Sequence, residues 1–103
     1  MTALVSVLVL AGLVWGGSEG SDANLQKAVA HYKAGQYEEA VSELKEYVQE
    51  QPEGSAYYLM AYANYELGKH DLAAQNFMDA YLVEPEFSAE KFRQEIGIDP
   101  IVP

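Results

Sequence analysis

Residues 35–52 read Gly35-Gln36-Tyr37-Glu38-Glu39-Ala40-Val41-Ser42-Glu43-Leu44-Lys45-Glu46-Tyr47-Val48-Gln49-Glu50-Gln51-Pro52, and this stretch decides the fold. Val41, Leu44 and Val48 recur at three- and four-residue spacing, which puts them on one face of a helix with about 3.6 residues per turn. Glu39, Glu43, Glu46 and Glu50 fall on another face at the same kind of spacing. Gly35 can take the left-handed backbone of a tight turn, and Pro52 cannot continue a helix. The pattern predicts a helix from about Tyr37 to Glu50.

Working upstream, Leu25, Ala28, Val29 and Tyr32 form a second helical stripe that ends at Gly35. The two stripes make an antiparallel helical hairpin, and the hairpin recurs. Sliding the chain by 33 residues superposes Ala28 on Ala61, Ala30 on Ala63, Tyr32 on Tyr65, Gly35 on Gly68, Ala40 on Ala73, Pro52 on Pro85 and Glu53 on Glu86. Leu25 meets Tyr58, Val29 meets Tyr62 and Leu44 meets Phe77. The second unit therefore predicts a first helix carrying Tyr58, Ala61, Tyr62 and Tyr65, a turn at Gly68, and a second helix over Leu72 to Val83. Small Ala40 and Ala73 let paired helices approach, and bulkier Leu44 and Phe77 fill the space one turn on. A third copy begins as Pro85-Glu86-Phe87-Ser88-Ala89.

Ala28, Gly35, Tyr37, Ala40, Leu44 and Pro52 in the first unit, with Ala61, Gly68, Ala73, Phe77, Ala80 and Pro85 in the second, resemble the tetratricopeptide-repeat family. The resemblance covers roughly residues 22–87. The period is 33 where that family usually has about 34, His31 stands where an aromatic is common, and Asn24 stands where the first helix often has one. The resemblance implies an all-α fold and a protein-binding role, and leaves the partner open. It also implies that the first helix of each pair lines a concave groove, here with Leu25, Val29, Tyr32, Tyr58, Tyr62 and Tyr65. Tyrosine supplies large contact area and keeps a hydroxyl for hydrogen bonding, so these six are the candidate partner-binding residues. The other reading has the chain's own N-terminal or capping helix covering them. Many members clamp a peptide carboxylate with Lys, Arg and Asn; Leu25 and Val29 stand at such positions, so that activity is not expected.

Two repeats are short of the three that stacked arrays usually need for stability. A capping helix, the N-terminal segment or another subunit must supply the missing burial. Ser88 to Ile96 predicts the capping helix, with Ser88 as N-cap, Phe92 and Ile96 facing inward and Gly97 as terminator. Residues 98–103 form an apolar extended tail that packs on this domain or docks elsewhere.

The first 18 residues carry no charged side chain. Ala3 to Trp15 reads as the apolar core of a signal peptide, although no Lys or Arg precedes it and no A-x-A site follows. Eighteen uncharged residues also approach the length of a membrane anchor, with Trp15 at an interface. A third reading makes the run a buried helix. The expected organisation is residues 1–18 as signal peptide or anchor, 19–21 as linker, 22–97 as the helical repeat domain and 98–103 as tail. Either membrane reading puts the repeats outside the cytoplasm.

All 16 acids and all 6 bases follow that segment, leaving the rest of the chain with a net charge of −10. Such acidity opposes binding to nucleic acid and to anionic lipid, and admits a basic partner. Without cysteine there is no disulfide, thiolate nucleophile or thiolate metal site. The glutamate stripe on the Tyr37–Glu50 helix reads as a solvated face, and it matches no calcium loop. His31 and His70 are far apart in sequence and lack the constellation that a metal or general base needs. No cofactor and no enzymatic activity are expected. Two roles remain: a module that binds a peptide or protein in the tyrosine groove, or a permanent subunit of a membrane or envelope complex, with neighbouring copies or other chains filling the groove.

Overall fold

Gly35 and Gly68 take φ of 80° and 78°, and each turns the chain back between two antiparallel helices. Nothing lies within 4 Å of a Cβ built at either position, so left-handed backbone, not crowding, is what requires glycine there. The computed structural model of the chain describes residues 23–99. Within them α1 occupies residues 23–33, followed by α2 (Tyr37–Glu50), α3 (Gly54–Glu66), α4 (His70–Val83) and α5 (Ala89–Ile96). Among the described residues there is no strand. The expectations for residues 1–18, for the linker, for residue 22 and for residues 100–103 lie outside this range.

Helix α3 holds the centre, packing on α2, on α4 and on α5. That position explains its sequence, Gly-Ser-Ala-Tyr-Tyr-Leu-Met-Ala-Tyr-Ala-Asn-Tyr-Glu, in which apolar residues run around most of the helix and from Gly54 to Asn64 all but Tyr57 are buried. Ala40 and Ala73 are buried at the helix contacts as their size requires, and Leu44 is fully enclosed. Phe77 is half-buried, with its ring edge against Tyr58 at a centroid distance of 4.9 Å. Asn64 and Asn76, both buried, satisfy each other across α3 and α4: the Asn64 amide donates to Asn76 Oδ1 at 2.7 Å.

The start of α4 differs from the sequence reading: it begins at His70, two residues before Leu72. Asp71 falls in the first turn, where its carboxylate favours the positive end of the helix dipole and extends the helix backward. Helix α5 follows expectation. Ser88 Oγ accepts from the Lys91 backbone N–H at 3.1 Å, Phe92 and Ile96 are buried, and Gly97 terminates the helix. Ile98 packs against the core, so the described start of the tail lies on its own domain.

Candidate protein-interaction surface

The six candidate groove residues do not share one exposure. Leu25, Val29, Tyr58 and Tyr62 belong to the core, Tyr32 packs against it half-buried, and Tyr65 is 43% exposed. The cover is α5. The Phe92 ring lies 5.0 Å from both Tyr58 and Tyr62, which stand 5.4 Å from each other. Burying a side chain of this size contributes about 1.5–3 kcal/mol, which the two-repeat unit requires more than a solvated tyrosine ladder. Burial, with Glu66 adding to it, pushes the Tyr32 phenol up to about 12, and burial also raises Tyr58. The accessible remainder of this face is the edge of Tyr32, with Tyr37 across it at 5.2 Å, and Tyr65 beside His70 at 5.0 Å.

One acidic side chain holds the α5 junction together. Glu84 Oε1 accepts from the Gly54 backbone N–H at 2.9 Å, at the start of α3, and Glu84 Oε2 accepts from Lys91 Nζ at 2.6 Å. Lys91, then the Gly54 N–H, hold the Glu84 carboxyl below the usual range. Phe87, 3% exposed, fills the corner beside Gly54.

At the other end, His31 Nδ1 lies 2.9 Å from Glu43 Oε1 and Lys27 Nζ lies 3.7 Å from Glu43 Oε2, tying α1 to α2. A polar cleft of about 220 Å³ opens there, lined by Lys27, Glu43, Glu46 and Glu50 among others. Its lining includes no Ser, Thr, Cys or His. Among the described residues, no group of three or more His, Asp or Glu side chains is placed to hold a metal.

The surface the sequence reading missed is the outer side of α4. Leu72 is 50% exposed, Met78 60%, Leu82 73% and Val83 40%. The repeat register carried the signal. Shifted by 33, these four positions correspond to Glu39, Lys45, Gln49 and Glu50 of α2, all polar. The same shift pairs Asp71 with Glu38 and Asp79 with Glu46, so the second unit keeps those acids and replaces the residues around them with apolar ones. Buried Ala73, Asn76 and Ala80 mark the core side of α4; Met78 and Leu82 lie across the helix from them, and Leu72 and Val83 flank them.

Two stacked helical hairpins with left-handed glycine turns and small residues at the helix contacts define an all-α protein of tetratricopeptide type. The chain belongs to the family described as "Anaphase-promoting complex, cyclosome, subunit 3", a repeat family of this type, which matches residues 8–80. No curated protein and no solved structure matches the chain. Repeat families of this type are generally not enzymes, and the membership points to protein–protein interaction. Among the described residues, no helix is long and apolar enough to cross a membrane.

Proposed function

We propose that this chain docks onto another protein through the outer face of α4, as an assembly subunit held at a membrane or exported by its apolar N-terminal segment. The observation that carries the docking site is the exposure of Leu72, Met78, Leu82 and Val83 on a helix whose counterpart in the first repeat is polar at each of those positions. A solvated helix gains nothing from these side chains, and exposed apolar residues gathered on one helix of a small protein favour burial against a partner. The 18 uncharged N-terminal residues support a location outside the cytoplasm, since acidic Glu19 and Asp22 follow them with no nearby base.

A groove-binding role remains a second reading, and the exposure of Tyr65 favours it. In that reading the partner meets the edges of Tyr32 and Tyr65, and Tyr58 and Tyr62 support them from beneath.

The test is a mild-detergent purification of tagged full-length protein, with mass spectrometry of its companions and of its own N-terminus. Comparison is made with a Met78→Ser/Leu82→Ser variant and a Tyr65→Ala variant. The α4 reading expects companions at constant ratio that the double variant loses while its helicity and melting temperature persist. Companions retained by the double variant and lost by Tyr65→Ala would move the site to the tyrosine edge. An intact residue 1 indicates an anchor, and a start near residues 17–21 indicates export.

A further inference from the structure

Resting on the α4 docking face, we propose that its occupant is a basic amphipathic helix of another protein. Such a helix carries an apolar ridge flanked by Lys or Arg. Leu72, Asp79, Leu82 and Val83 follow one another along α4 at spacings that keep them on one side, and Met78 precedes Leu82 by one turn and follows Asp71 by about two. Carboxylates therefore lie within and beside the apolar face. Helix α4 contains no Lys or Arg, and no base stands in its last turn, where Leu82 is the most open of the four apolar residues. Glu86 follows, exposed, just beyond that end.

This arrangement discriminates between occupants. A second copy of the chain would set Asp71 and Asp79 against carboxylates, with a net charge of −10 on each side, so self-association is opposed. Anionic lipid headgroups and nucleic-acid phosphates are repelled for the same reason. A neutral apolar helix would bury its ridge but bring no counter-charge to Asp71 or to Asp79, whose Oδ1 accepts a hydrogen bond from Gln75 Nε2 at 3.1 Å, so two carboxylates would lose water uncompensated in charge. A helix is the matching shape because α4 is a fourteen-residue helix with exposed side chains along it, the geometry in which side chains of two helices interdigitate.

Two fluorescent helical peptides of equal length and identical leucine ridge test this, one flanked by lysine and one by glutamate. They are titrated against full-length protein held in nanodiscs of zwitterionic lipid, with empty nanodiscs as background. The lysine peptide is expected to bind at least tenfold more tightly than the glutamate peptide. Binding should weaken as salt rises, and fall at least tenfold for both Met78→Ser/Leu82→Ser and Asp71→Asn/Asp79→Asn. Equal binding of the two peptides, or lysine-peptide binding that both variants leave intact, overturns the proposal. A different pattern marks failure of the underlying docking reading. There, natural companions survive Met78→Ser/Leu82→Ser in the purification; if they are lost while the lysine peptide does not bind, the face is a docking site for another kind of partner.

Discussion

Replacing Gly54 by alanine sets two effects of known size against each other. Gly54 opens α3, and glycine in a helix is about 1 kcal/mol worse than alanine in an interior position, less at an end. On propensity alone, Gly54→Ala should stabilise the protein by a fraction of that. Packing opposes it. A Cβ at this position lies 2.8 Å from Phe87 Cδ1 and 3.0 Å from Glu84 Oε1. Phe87 is 3% exposed and its ring stands 5.1 Å from that of Tyr58, so it cannot turn away without disturbing the core. Glu84 is held on its other side by Lys91. Forcing a methyl group into a packed site typically costs about 1–3 kcal/mol, which exceeds the propensity gain. A net loss of about 1–2 kcal/mol is expected, and for a domain of this size each kcal/mol lowers the melting temperature by about 4–8 °C. Thermal melting followed by circular dichroism, on wild type and variant side by side, measures it. A melting temperature equal to or above that of wild type would refute the reasoning, because it would mean the Phe87–Glu84 corner yields freely.

Gly68→Ala isolates the backbone effect. With open space around the built Cβ and φ at 78°, it should lose about 1–2 kcal/mol in the same melts, and no loss would mean that the turn relaxes. Asn76→Ala leaves the buried Asn64 amide without its acceptor and should cost about 1–3 kcal/mol in denaturant unfolding. Pairing it with Asn64→Ala should recover part of that loss, whereas strict additivity would show the two amides to be uncoupled. Glu84 has a lowered pKa in the folded chain, so its contribution is present above the ordinary glutamate value of about 4.3 and disappears as pH falls through the folded value. The stability of the α5 region, read from amide hydrogen exchange, should therefore fall on acidification, and Glu84→Gln should flatten that dependence; an unchanged profile would place the acid sensitivity in another carboxylate. Glu86 and Glu95 also face Lys91, so the same profile should be taken for Glu95→Gln as the comparison.

Most of the fold was legible because its determinants are local. Gly35 and Gly68 mark turns that demand a left-handed residue, Ala40 and Ala73 mark close helix contacts, and the 33-residue shift aligns both sets. Ser88, Phe92, Ile96 and Gly97 likewise announced a capped helix with one buried face. The fate of the tyrosines was not legible in the same way. Tyr58, Tyr62 and Tyr65 stand at helical spacing in the sequence, and nothing in that spacing says whether Phe92 closes over the first two. Covering is a long-range event that depends on where α5 settles. The start of α4 shifted for a simpler reason: His70 and Asp71 are polar, so an apolar periodicity cannot see them, although the first turn of a helix favours an acid.

The exposed face of α4 follows from the same long-range event. In a longer array, a full-length helix after the second hairpin would lie against the existing pair and share its burial among more neighbours. Here the eight residues of α5 are committed to α3 by Phe92 and by the Glu84–Lys91 pair. Closing over Tyr58 and Tyr62 therefore places α5 on α3 and leaves the outer side of α4 open among the described residues. The first repeat shows what α4 would look like as a solvated outer helix, with Glu39, Lys45, Gln49 and Glu50 at the matching positions. Leu72, Met78, Leu82 and Val83 depart from that pattern together, while the neighbouring acids Asp71 and Asp79 do not. A loss of polarity confined to one side of one helix, with the charges beside it retained, is the pattern expected of a surface that is dry in the assembled state and still reads the charge of what covers it.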